Sequence, residues 1–288
     1  MWKRPLYLPS YFNCDDDTLS KIEYLSGATP PSIIDTTHVN LVLLALRGER
    51  GLPRNLTNVE MCEVVTEMLQ QYSEDPATTL QSMREDTTRF HIDGHNETVE
   101  ASHSQLRSAT ACYLVLREIV NSGVIISDDI VRAHKYATHL SNMPSGIRTV
   151  NVFAGETVFM PHANVSSTLR HWCQSATIYL KSDDQCNPIG STSKLIEQFL
   201  MIHPFRDGNG RFARWLLSLF IGAKGFPYAF CIHQSKWIQS LKYAHHHRNG
   251  TEYSRLNALI MKSMMHVQGY PNNFEYYISS MVEYIEPE

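Results

Sequence analysis

The chain has 288 residues, 43% of them apolar and 19% charged, with a formal charge of −4. That length predicts one large domain with terminal elaborations, and the mildly negative charge excludes nucleic acid as an expected partner. No run approaches the ~20 apolar residues that cross a bilayer, and the N-terminal MWKRPLYLPSYFNCDDD lacks the apolar stretch of a secretory signal. No membrane partner is therefore expected, and a cytoplasmic location is. The six cysteines, Cys14, Cys62, Cys112, Cys173, Cys186 and Cys231, form no CxxC pair and read as reduced thiols.

After a proline-punctuated start, the densely apolar run Thr37 to Leu46 predicts a short buried helix that ends at the turn-like stretch from Gly48 to Pro53. Thr57 with Glu60, ahead of Met61, Val64, Val65, Met68 and Leu69, predicts a capping-box start to an amphipathic helix. Ser73 to Gly94 is polar and weakly periodic, and reads as a long loop or a boundary. The stripe Leu106, Ala109, Tyr113, Leu116 and Val120 predicts a bundle helix from Glu97 to Val120. Ser127, Asp128 and Asp129 then cap another that runs to Leu140.

Between Thr149 and Met160 the period changes. Val150, Val152, a Gly155-Glu156 turn, Val158 and Phe159 predict a β-hairpin. Helical texture resumes over 165–181, 191–202, 210–222, 234–247, 253–266 and 274–285, with breaks at Pro, Gly or Asn. The predicted fold class is all-α with one β-hairpin.

One segment differs chemically from all the others: His203-Pro204-Phe205-Arg206-Asp207-Gly208-Asn209-Gly210-Arg211-Phe212-Ala213-Arg214, set between two apolar helical runs. Gly208 and Gly210 free the backbone to turn tightly, and Gly210 opens a helix whose first N–H groups have no intrahelical partner. Those groups, the positive helix end and two arginines at helix spacing suit a polyphosphate. Asp207 offers a hard oxygen to Mg²⁺, and a neutral His203 can take a proton from an attacking hydroxyl. Base, metal ligand, anion cradle and arginines together predict phosphoryl or nucleotidyl transfer to an alcohol.

The same segment resembles the Fic family motif, H-x-F-x-(D/E)-G-N-G-R-x-x-R, at every specified position. Gly146 to Pro161 is similar to that family's flap hairpin, Trp172 to its following helix, and Asn187-Pro188-Ile189 to the lead-in to the catalytic helix. The resemblance implies the Fic fold, with an N-terminal helical extension over 1–94, a catalytic domain over 95–268 and a C-terminal helical tail over 269–288. It also implies a protein adenylyltransferase that moves AMP from ATP·Mg²⁺ to a Ser, Thr or Tyr hydroxyl, itself included. His203 would be the base, Phe205 a loop anchor and Asp207 the Mg²⁺ ligand. Gly208, Asn209 and Gly210 would hold the α- and β-phosphates, Arg211 the β-phosphate and Arg214 the γ-phosphate. Trp237, Ile238 and His245 fall at positions that face the nucleobase, where they depart from the commonest family choices. A target protein would add as a strand to the flap edge, Thr149, Val150, Asn151, Val152 and Phe153.

Many members of that family carry an inhibitory helix, (S/T)-x-x-x-E-(G/N), whose glutamate pairs with the second motif arginine. The nearest acids here, Glu49 and Asp93, each break the pattern, which predicts a constitutively competent enzyme without the glutamate used for removing AMP. Alternatives on the same scaffold are transfer of UMP, GMP, phosphate or phosphocholine, and a catalytically idle binding module. His245, His246 and His247 are adjacent on a helix, about 100° apart, and so are not expected to share a metal. Met261, Met264 and Met265 read as core, and Tyr276, Tyr277 and Tyr284 as packing or a homodimer contact.

Overall fold

The computed structural model describes residues 36–47, 55–87, 99–138, 146–155, 157–182, 188–226, 234–246 and 254–269. The helix expected over 274–285, the acids Glu49 and Asp93, His247 and the C-terminal tyrosines lie outside them. Helices α1 (Thr36–Arg47), α2 (Asn58–Glu74), α3 (Pro76–Thr87), α4 (Val99–Asn121) and α5 (Ser127–Thr138) precede a hairpin of β1 (Phe153–Ala154) and β2 (Thr157–Val158). After it come α6 (His162–Lys181), α7 (Pro188–Ile202), α8 (Asn209–Ala223), α9 (Gln234–His246) and α10 (Ser254–Gly269).

Three helices form the interior because their sequences are apolar on every side. They are α4 around Ala111 to Leu116, α7 through Leu195, Ile196, Phe199 and Ile202, and α8 through Phe212, Trp215, Leu216 and Phe220. Helix α7 packs on α8, α4 on both α5 and α8, and the amphipathic α2, α6 and α10 cover the remaining faces. Fully buried Trp172 and Trp215 each place their indole N–H on a main-chain carbonyl, Leu195 at 2.8 Å and Leu41 at 3.1 Å. An aromatic core can therefore be large without stranding a donor. Truncating either to alanine would cost about 3–5 kcal/mol. One continuous core runs from α1 to α10, with Met261 and Met264 inside it, so the N-terminal helices share one interior with the later ones.

Local signals set the helix ends. Thr57 and Glu60 exchange the reciprocal bonds of a capping box, Glu60 N–H to Thr57 Oγ1 at 3.2 Å and Thr57 N–H to Glu60 Oε2 at 2.7 Å, worth about 1 kcal/mol.

Two sequence expectations are corrected. The stretch from Ser73 to Gly94, read as a loop, contains α3. Pro76 starts that helix without losing a useful donor, Asp75 accepts the Thr78 N–H at 3.1 Å, and buried Thr79 supplies an inward contact that hydropathy does not score. The hairpin, expected over 149–160, pairs only Phe153 with Val158 and Ala154 with Thr157. The preceding residues make other bonds: the Val150 carbonyl accepts from Arg148 Nη1 at 2.7 Å, and Asn151 Oδ1 accepts the His162 N–H at 2.9 Å, at the start of α6.

Candidate functional site

The connection from His203 to Gly208 joins two largely buried helices, α7 and α8, so the core holds it at both ends. His203 has φ 48, the sole positive value outside glycine among the described residues. That conformation costs on the order of 1–3 kcal/mol and persists where the surroundings over-determine it. Phe205 is fully buried below the loop. Asn209, 1% exposed, closes the loop on itself: its Oδ1 accepts the Phe205 N–H at 3.1 Å, and its Nδ2 donates to the Phe205 carbonyl at 2.8 Å. The side chain of Asn209 is thus bound to the loop, and its main-chain N–H is the group that can serve a phosphate.

Gly208 is the N-cap of α8, in the left-handed region at φ 80, and so brings no capping side chain. A Cβ there would lie in ordinary contact, 3.4 Å from Arg211 Nη2 and 3.6 Å from His134 Nε2, so it is the left-handed conformation that favours glycine. The N-terminal amides and positive dipole end of α8 form the arrangement that binds phosphates. Arg211 is buried and Arg214 half-buried one turn further on. The Asp207 carboxylate stands 3.8 Å from Arg211 Nη2. Among the described residues no group of three or more His, Cys, Asp or Glu side chains can hold a metal. A Mg²⁺ on Asp207 would therefore complete its shell with water and phosphate oxygens, the usual habit of that ion. The donor set fits it.

The His203 ring is half-buried, with Nδ1 3.2 Å from the Leu200 carbonyl. A carbonyl only accepts, so Nδ1 carries the proton and Nε2 keeps its lone pair. Burial pushes the pKa down to about 4 and the Arg148 charge acts in the same direction, opposed by the Leu200 carbonyl and Asp207. At neutral pH the ring is an uncharged proton acceptor.

Sequence reasoning missed four side chains: Arg148, His134 and Phe159, which hold this loop, and Glu197, which lies beside His245. Arg148, 2% exposed, donates from Nε to the His203 carbonyl at 2.6 Å, from Nη1 to Val150, and from Nη2 to the Met160 and Ile202 carbonyls. One buried guanidinium therefore joins both legs of the hairpin to the end of α7. Main-chain bonds from Arg148 N–H to Pro204 O at 2.9 Å and from Met160 N–H to Met201 O at 3.1 Å reinforce the junction. His134, fully buried on α5, donates Nε2–H to the Asp207 carbonyl at 2.9 Å and stacks on Phe205 at 3.6 Å. Burial, aided by Arg211, lowers its pKa to about 4. Phe159 stacks on the His203 ring, and Glu197 lies 3.3 Å from His245 Nδ1. All four contacts join residues far apart in sequence, so no local motif announces them.

Of the expected base-side residues, Ile238 is 42% exposed whereas Trp237 is 2% exposed and belongs to the core. His245 is half-buried beside Glu197. On the expected docking edge Phe153 alone lies in a strand; Thr149, Val150 and Asn151 are exposed and Val152 is half-buried. Helix α1 packs on both α8 and α4, held to α8 by the Trp215 indole N–H on the Leu41 carbonyl and to α4 by a 2.5 Å bond between His38 Nδ1 and the Tyr113 hydroxyl. Its sequence, TTHVNLVLLALR, contains no carboxylate.

A tight loop, a neutral histidine and an arginine-lined helix N-terminus within a helical domain make an arrangement suited to an anion. Residues 125–221 match the profile of the Fic/DOC family. A Fido domain-containing protein of Dictyostelium discoideum is 29% identical over 157 residues, covering 53% of this chain and 98% of that protein. In fold, the chain is similar to Fic-1 of C. elegans, with TM-score 0.56 and 19% identity over 93% of this chain and 71% of that one. It is likewise similar to a Fic domain containing signaling protein of Bacteroides thetaiotaomicron, with TM-score 0.57 and 13% identity over 86% and 93%. The Fic/Fido family commonly transfers AMP or other nucleotide groups. No described helix is long and apolar enough to cross a membrane.

Proposed function

We propose that the protein is a protein adenylyltransferase, which moves AMP from ATP to a Ser, Thr or Tyr hydroxyl of a target protein and of itself. The observation that carries this reading is the pairing of a neutral His203, its Nε2 lone pair free of the Leu200 bond, with the N-terminus of α8 and its two arginines.

The main-chain amides of Gly208, Asn209 and Gly210 and the Arg211 guanidinium hold the phosphates, and Arg214 takes the far end of the chain. His203 Nε2 accepts the proton as the target oxygen bonds to the α-phosphorus and the bond to the β-phosphate oxygen breaks, so that pyrophosphate leaves. A weakly basic imidazole suits this step, because phosphoryl-type transition states are loose and need charge neutralisation more than a strong base. Mg²⁺ on Asp207, when bound, supplies further neutralisation of the triphosphate. The target lies along the hairpin edge near Phe153, completing a ladder too short to be a sheet by itself. The carboxylate-free α1 supports an enzyme without acidic restraint on Arg214.

A second reading, transfer of a different nucleotide, draws support from the burial of Trp237, which withdraws one expected contact with the base. Incubating the purified protein and candidate-target lysate with α-³²P or γ-³²P ATP and Mg²⁺ tests both readings. Retention of the α label alone, abolished in His203→Ala, is the expected result. Retention of the γ label would replace it with kinase-like chemistry, and label from another nucleotide, but not from ATP, would favour the second reading.

A further inference from the structure

Phe159 follows β2 and makes the closest contact that any described aromatic side chain makes with His203: the ring centroids are 3.8 Å apart and the planes 19° apart. Its position is fixed on both sides. The preceding Val158 pairs with Phe153 and is 63% exposed, so Phe159, next along an extended chain, faces the other way, toward the loop. The following Met160 donates its N–H to the Met201 carbonyl at 3.1 Å, and its carbonyl accepts from Arg148 Nη2. A ring pinned in this way has few alternatives to lying on the imidazole. His203 itself sits at a strained φ of 48, and among the described residues its side chain has one hydrogen bond, Nδ1 to the Leu200 carbonyl at 3.2 Å. One such bond leaves rotation about the line joining its atoms unrestrained. A flat contact over the whole ring face removes that freedom.

We propose that Phe159 is a positioning residue that fixes the plane of the His203 imidazole from the flap, so that seating the flap and aiming Nε2 at the acceptor hydroxyl are one event. The proposal rests on the transfer reading and adds to it. The same hairpin whose edge would receive the target carries, on its return strand, the group that orients the base. Arg148 ties the two backbones together, and Phe159 extends the tie to the reacting side chain. Displacing the hairpin would leave the nucleotide cradle of α8 intact while the base lost its orientation, so turnover should respond and nucleotide binding should not.

The test compares wild type, Phe159→Leu, which keeps an apolar side chain, and Phe159→Tyr, which keeps the flat ring. Two readouts are taken: the imidazole proton shifts of His203, assigned with His203→Ala, and auto-labelling against ATP concentration. A ring stacked this closely shields its neighbour, so the His203 protons should lie upfield in wild type and Phe159→Tyr and move downfield in Phe159→Leu. The labelling kcat of Phe159→Leu should drop about ten-fold, with KM for ATP within about two-fold, and Phe159→Tyr should restore it. Unchanged proton shifts in Phe159→Leu, or equal kcat in all three proteins, would overturn the proposal. If wild type gives no label while the shifts behave as expected, the transfer reading fails and the orienting contact stands.

Discussion

The loop from His203 to Gly208 and the hairpin from Phe153 to Val158 are neighbours joined by Arg148, yet they are built on opposite principles. The loop is over-determined. Asn209 ties its middle, His134 holds the Asp207 carbonyl, Arg148 holds the His203 carbonyl, and Phe205 lies fully buried beneath it. This surplus of fixed bonds lets a histidine persist at φ 48. The hairpin has two residue pairs and exposes Phe153 and Val158 at 66% and 63%. It is anchored at its root and incomplete at its tip. The contrast teaches that the loop is fixed by the fold, whereas the apolar hairpin edge is left exposed.

Breaking the loop should have the largest effects. His203→Ala should lower labelling about 10²–10⁴-fold, the range of a general base, while the midpoint of urea unfolding stays near that of wild type. Arg148→Met removes the donor from the Val150, Met160, Ile202 and His203 carbonyls. It should cost about 3 kcal/mol in urea unfolding, with little rescue from Arg148→Lys, which lacks the planar fork.

Acid sharpens the same contrast. Histidines that ordinarily titrate near 6.5 are held to about 4 at positions 134 and 203. Between those values the unfolded chain binds protons that the folded chain refuses, so stability is full above pH 6.5 and falls as pH drops toward 4. Moving from pH 7 to pH 5 should remove about 2 kcal/mol through fully buried His134, and less through half-buried His203. His134→Phe keeps an aromatic ring over Phe205 but loses the bond to Asp207. It should cost about 1–2 kcal/mol at pH 7 and flatten that acid dependence. The hairpin tip should behave oppositely. Phe153→Ser or Val158→Ser should leave stability within about 0.5 kcal/mol yet slow labelling of a target protein more than labelling at saturating ATP alone would reveal.

The sequence announced the parts whose chemistry is contiguous. His203 to Arg214 could be read as a phosphate site because cradle, base and carboxylate follow one another along the chain, and the capping box at Thr57 and Glu60 because it closes within one turn. Helix α3 escaped notice because its inward contacts include Thr79, which hydropathy scores as surface. The hairpin was overextended because Val150 and Val152 alternate like a strand, although Arg148 and Asn151 divert that segment to other bonds. Arg148, His134, Phe159 and Glu197 were illegible for one shared reason: each acts across a fold-level contact, on a carbonyl or ring that only folding brings near.

The most direct test of the central claim is a crystal structure with a non-hydrolysable ATP analogue and Mg²⁺. The account predicts the triphosphate on the main-chain amides at the start of α8, the metal on Asp207, and the α-phosphorus facing His203 Nε2. A nucleotide bound elsewhere, or phosphates at this helix end with the α-phosphorus turned away from His203, would contradict it.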